Sequence, residues 1–69
     1  MSLTKIAVAA LFAEADRHRI TMTALAERAG VTRVTLSNWR SGRTVPLLDA
    51  YLAVDAALDD LIAQRASVD

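Results

Sequence analysis

The sequence predicts an all-α fold, a bundle of four to five helices, and three observations carry that prediction. Alanine and leucine dominate the chain, which holds only two glycines and one proline. No run of β-branched or aromatic residues reads as a strand. Apolar residues recur at i, i+3, i+4 and i+7 in one segment after another, the spacing of a single helix face. The 69 residues are expected to form a single domain. A chain this short buries little more than about half of its unfolded surface, so self-association would stabilise it.

A first helix is expected from an N-cap at Ser2 to Arg17 or His18. Leu3, Ile6, Ala7, Ala10 and Leu11 make its apolar stripe, widened by Val8 and Phe12. Arg17, His18 and Arg19 place positive charge where the helix dipole is negative. Lys5, the apolar run after it and Ala13-Glu14-Ala15 have the outline of a minimal signal peptide. The basic region is a single lysine, however, and cleavage would delete most of a helix that the core needs. No stretch approaches the ~20 apolar residues of a membrane span, and the absence of cysteine suits a reducing cytoplasm.

Thr21 is placed to cap a second helix, Met22 to Ala29, whose stripe is Met22, Leu25, Ala26 and Ala29. Gly30 ends it in the left-handed backbone region that side chains resist. Val31 then turns back toward the core, and Thr32 caps a third helix from Arg33 to Ser41. Leu36 and Trp39 lie three apart on the inner face of that helix, and Gly42 fits as its left-handed terminus. Pro46 suits the first turn of a fourth helix bearing Leu48, Tyr51, Leu52, Val54 and Leu58. This helix either runs unbroken to about Arg65 or breaks at Asp59-Asp60 into a short fifth helix with Leu61 and Ile62.

The formal net charge is zero but unevenly spread. Seven cations face three carboxylates from Met1 to Thr44, a balance of +4; one arginine faces five aspartates from Val45 onward, a balance of −4. Such asymmetry is either ordinary solvated helix surface, as Arg28 suggests, or a basic face for a polyanion. Nothing reads as a catalytic site. There is no cysteine, one histidine, no glycine-rich phosphate loop and no positioned carboxylate pair, so no enzyme, metal or cofactor is expected.

Two short helices joined through a glycine turn, the second amphipathic, describe a helix-turn-helix over about residues 21–42. The segment LAERAGVTRVTLSNWRSGRTVP, Leu25 to Pro46, resembles that of the phage repressor and Cro family, the Xre-type regulators. The matching residues are Leu25, Ala26, Gly30, Val31, Leu36, Trp39, Gly42 and Pro46. LLDAYLAVDAAL, through Leu58, is similar to the family's fourth helix. The resemblance implies a small repressor binding double-stranded DNA, with the third helix in the major groove. Carried over residue by residue, it puts base reading on Arg33, Val34, Ser37 and Asn38. Arginine suits guanine, asparagine suits adenine, and valine packs on a thymine methyl. Contacts to the DNA backbone fall on Thr21, Met22, Thr23, Thr32, Thr35, Arg40, Ser41, Arg43 and Thr44.

Two features depart from the family pattern. Family members often carry an acidic residue at the position of Arg40, paired with an arginine on the first helix. Here Arg40 is either a phosphate ligand or the reversed partner of Glu14. A glycine-rich break after the fourth helix is replaced by Asp59-Asp60. Val54, Leu58, Leu61 and Ile62 form a stripe that is either core or the seam of a homodimer, which two-fold operators demand. No membrane and no small-molecule effector are expected as partners. The competing class is a small helical interaction module, or an antitoxin-like partner, meeting its target through that C-terminal face.

Overall fold

The computed structural model describes residues 3–67, so the N-cap expected at Ser2 lies outside the described residues. Four helices follow in order: α1 Leu3–Arg17, α2 Met22–Ala29, α3 Arg33–Ser41 and α4 Leu48–Ser67. Each of the first three ends in a left-handed residue whose N–H reaches back into the last turn. After α2, Gly30 has φ 77°, and its N–H and that of Val31 both donate to the Ala26 carbonyl, at 2.9 and 3.0 Å. After α3, Gly42 has φ 80° and donates to Trp39 O at 3.1 Å. The end of α1 uses no glycine. Arg19 takes φ 59° while it donates to Asp16 O at 3.1 Å, and Ile20 donates to Ala15 O at 2.8 Å. Ile20, buried by this turn, is a core residue that periodicity alone does not mark.

The core draws on every element: Val8, Leu11, Phe12 and Ala15 from α1, Ile20, Leu25 and Ala26, Leu36 and Trp39, then Val54, Ala57 and Leu58 from α4. α2 packs most extensively on α4, and Leu25 and Ala26 are its buried residues. Within the stripe expected on α1, Leu11 is buried together with Val8 and Phe12, which widen it, while Ile6 is 49% exposed and Ala10 is exposed. The buried face is rotated toward Val8-Leu11-Phe12-Ala15, again at i, i+3, i+4 and i+7. The two large side chains Leu11 and Phe12 fill more core volume than alanines do, and they set the rotation.

Helix α4 differs from expectation at its start. Its first turn opens at Leu47, whose carbonyl accepts the Tyr51 N–H at 2.9 Å, and Pro46 stands ahead of the helix in the loop. Of the apolar residues expected on this helix, Leu48 and Leu52 are 70% and 53% exposed. α4 then runs unbroken through Asp59-Asp60, with no glycine or proline to stop it. Asp60 instead ties α4 to α2 through Arg28 at 3.0 Å. Near the far end, Arg65 donates to the His18 carbonyl at 2.6 Å, satisfying an acceptor at the end of α1. Val54 and Leu58 are 0% and 1% exposed, so of the two roles open to that stripe they take the core; Leu61 and Ile62 are partly buried against it. Among the described residues, no helix is long and apolar enough to cross a membrane.

Candidate nucleic-acid interface

The helix α3 is fixed from one side only. Leu36 is fully buried and Trp39 nearly so, and at about 100° per residue Val34, Ser37 and Asn38 fall on the opposite side of the helix, with Arg33 on its flank. Arg33, Val34 and Ser37 are exposed, Val34 at 68% despite its apolar side chain, and Asn38 is half-buried. Arg33, Val34 and Ser37 line one shallow concavity of about 370 Å³ with Met22 of α2 and Arg40. Asn38 lies outside that concavity, farther round the helix.

Thr32 and Thr21 act first as caps. Thr21 Oγ1 accepts the Ala24 N–H at 3.1 Å, and Thr32 Oγ1 accepts the Thr35 N–H at the same distance. The Thr32 and Thr35 hydroxyls also share a hydrogen bond of 2.9 Å, which holds Thr35 to the start of α3. Thr23 is exposed on the first turn of α2. At the other end of α3, one carbonyl organises the exit of the chain. Asn38 O accepts the N–H groups of Arg43 at 2.9 Å and Thr44 at 3.3 Å, and the Ser41 hydroxyl at 3.2 Å. The side chains of Arg43 and Thr44 stay exposed.

The arginines divide by their engagement. Arg40 is clasped by Asp16 of α1, its two terminal nitrogens 3.3 and 2.5 Å from the two carboxylate oxygens, and its guanidinium lies 5.4 Å from the Phe12 ring centroid. The expected partner, Glu14, is not the one used. Glu14 lies on the other side of α1, near Asp55, because the helix is rotated as described above. The guanidinium groups of Arg33 and Arg43, by contrast, make no hydrogen bond or ion pair among the described residues. The carboxylates gather elsewhere. Burial, then Asp59 and Glu14, raise the Asp55 carboxyl above its ordinary range, and burial and Asp55 raise the Tyr51 phenol. Positive charge therefore stays available on α3 while negative charge is grouped on α4 and α1.

A helix-turn-helix family model of the phage-repressor (Xre) type matches residues 13–59, from the second half of α1 into α4. No curated protein and no solved structure matches the chain. The matched residues cover most of the chain and include both helices of the motif, and the chain belongs to this family of DNA-binding helix-turn-helix regulators.

Proposed function

We propose that the chain is a small Cro-like or prophage-type repressor that binds a pseudo-palindromic operator as a homodimer. One observation carries the reading: the outer face of α3 presents Arg33, Val34, Ser37 and Asn38 with no intramolecular task for their side chains, while the inner face holds the helix rigid. A helix held this way is suited to the major groove, its N-terminal side chains reaching base edges. Arg33 is the guanine reader, Asn38 the adenine reader, and Val34 the thymine contact, with Ser37 between them. Met22, Thr23 and the N–H groups following the Thr21 cap meet a phosphate at the start of α2; Thr32, Thr35, Ser41, Arg43 and Thr44 line the flanking backbone. Arg40 borders the same groove, but its charge is already committed to Asp16. The two half-sites stand about 34 Å apart, one turn of DNA. The protein acts in the cytoplasm, without cofactor or small-molecule effector, and is controlled by its own concentration.

Fluorescence anisotropy tests this, with labelled DNA from upstream of the protein's own gene beside a scrambled duplex, at two salt concentrations. The expected result is steep salt dependence and a preference for the upstream DNA, which Arg33→Ala reduces by about 1–3 kcal/mol without altering the melting curve. An Arg33→Ala protein with full preference would remove Arg33 from the reading set. No binding at low salt would overturn the reading.

A further inference from the structure

Apart from Ile6 on α1, the large apolar side chains left exposed outside α3 gather where the chain passes from α3 to α4. Val45, Leu47 and Leu48 are 55%, 79% and 70% exposed, and Leu52, one turn above Leu48, is 53% exposed. Beside this strip lies a cavity of about 240 Å³ between the start of α1 and the end of α3. Val8, Ala9, Phe12 and Trp39 line it with apolar surface, Lys5 and Arg40 add charged groups, and Val45 and Pro46 also line it, so the strip and the cavity meet at Val45. Resting on the homodimer reading above, we propose that this strip and cavity are where two copies of the chain meet, Leu47 of each seated in the cavity of the other.

The sequence of the strip is itself suited to two-fold pairing. A two-fold interface is made by one patch meeting itself, so the patch must carry both a projection and a receptor and must be self-complementary in charge. From Arg43 to Asp49 the chain reads Arg-Thr-Val-Pro-Leu-Leu-Asp, a cation at one end, an anion at the other and Pro46 midway. Antiparallel pairing about Pro46 sets Arg43 of each copy opposite Asp49 of its mate. Both side chains are exposed, and neither has a hydrogen bond or ion pair among the described residues. The area is adequate. The four exposed side chains offer on the order of 400 Å² per copy, and with the cavity rim two copies bury the roughly 1,000 Å² that separates a specific interface from a chance contact. The other stripe, on α4, offers less: Val54 and Leu58 are fully used by the protomer's own core, and Leu61 and Ile62 are partly buried against it. The strip also begins four residues after Ser41, the end of α3, so pairing there sets the separation of the two α3 helices directly.

Sedimentation equilibrium of the free chain without DNA, from low to high micromolar, tests the surface. Wild type is expected to dimerise, Leu47→Glu to weaken association by roughly tenfold or more, and Asp49→Lys to weaken it less, at the rim. The double variant Asp49→Lys with Arg43→Glu is expected to restore it. Circular dichroism melts establish that each variant is folded, and Leu47→Glu should bind a single half-site like wild type. A wild-type dimer that survives both Leu47→Glu and Asp49→Lys would overturn this surface while leaving the homodimer intact. Wild type that remains monomeric with and without upstream DNA would overturn the homodimer and this surface together.

Discussion

The two faces of α3 use the same nine residues for opposite purposes. Leu36 and Trp39 on the inner face are buried in the core, and their neighbour Arg40 is held by Asp16 and stacked on Phe12. On the outer face Arg33, Val34 and Ser37 stand exposed around one concavity. The difference teaches that stability and recognition are separable here at the level of single side chains. A helix that buried both faces could present neither to DNA, and a helix without a core face would be too short to hold its shape, since isolated helices below about 12–15 residues are marginal in water.

The comparison predicts which substitutions break which property. Leu36→Ala should act on the inner face alone. Losing a fully buried leucine costs about 2–5 kcal/mol, which in a domain this small lowers the melting temperature by ten degrees or more. DNA affinity per folded molecule should be unchanged, and anisotropy at a temperature where the variant is still folded checks that. A change in sequence preference would show that the two faces are coupled.

Asp16→Ala probes the boundary between them. The pair is about half exposed on each side, so its loss should lower stability by under about 1 kcal/mol, and by less in high salt. Arg40→Ala should cost somewhat more, since it also removes the contact with the Phe12 ring, and should leave the ratio of upstream to scrambled affinity unchanged, because Arg40 serves the fold. Binding losses in Arg40→Ala well beyond those in Asp16→Ala would move Arg40 to the outer face.

The smallest effect is expected far from α3. Asp55 has a raised pKa in the folded state, first through burial and then through Asp59 and Glu14, so folding disfavours its charged form. Its contribution to stability is therefore present when it is protonated and is lost as pH rises through that raised value. Asp55→Asn should raise the neutral-pH melting temperature slightly, within about 0.5 kcal/mol, and flatten this part of the gain on mild acidification. Equal melting differences between variant and wild type at pH 7 and pH 4 would contradict the assignment.

How much of this was legible in the sequence depended on how locally each feature is encoded. α2 and α3 could be read to the residue because Thr21, Gly30, Thr32 and Gly42 mark their ends by short-range chemistry: a hydroxyl that caps, a glycine that tolerates positive φ. The end of α1 carries no such mark, since Arg19 holds the left-handed position in spite of its Cβ. Its rotation was also obscured, because alanine on both faces gives little amphipathic contrast. That single ambiguity propagated into the site. Glu14 and Asp16 lie on different sides of α1, so which of them meets Arg40 follows from which face is buried. The exposed leucines of α4 were hidden for a related reason, because periodicity identifies an apolar stripe but not whether anything covers it. The face of α3 was the most legible part, with Leu36 and Trp39 announcing by elimination what remained outside.

The junction at Asn38 has a consequence for how such a protein can change. The contribution of this residue to the fold passes through its main-chain carbonyl, which gathers Arg43, Thr44 and Ser41, and every amino acid supplies that carbonyl. Its side chain, like those of Arg33, Val34 and Ser37, is thereby left free to vary. On the function proposed above, a lineage of such chains could drift from one operator to another by exchanging these side chains one substitution at a time, with each intermediate still folded. Specificity would in that sense be a replaceable part.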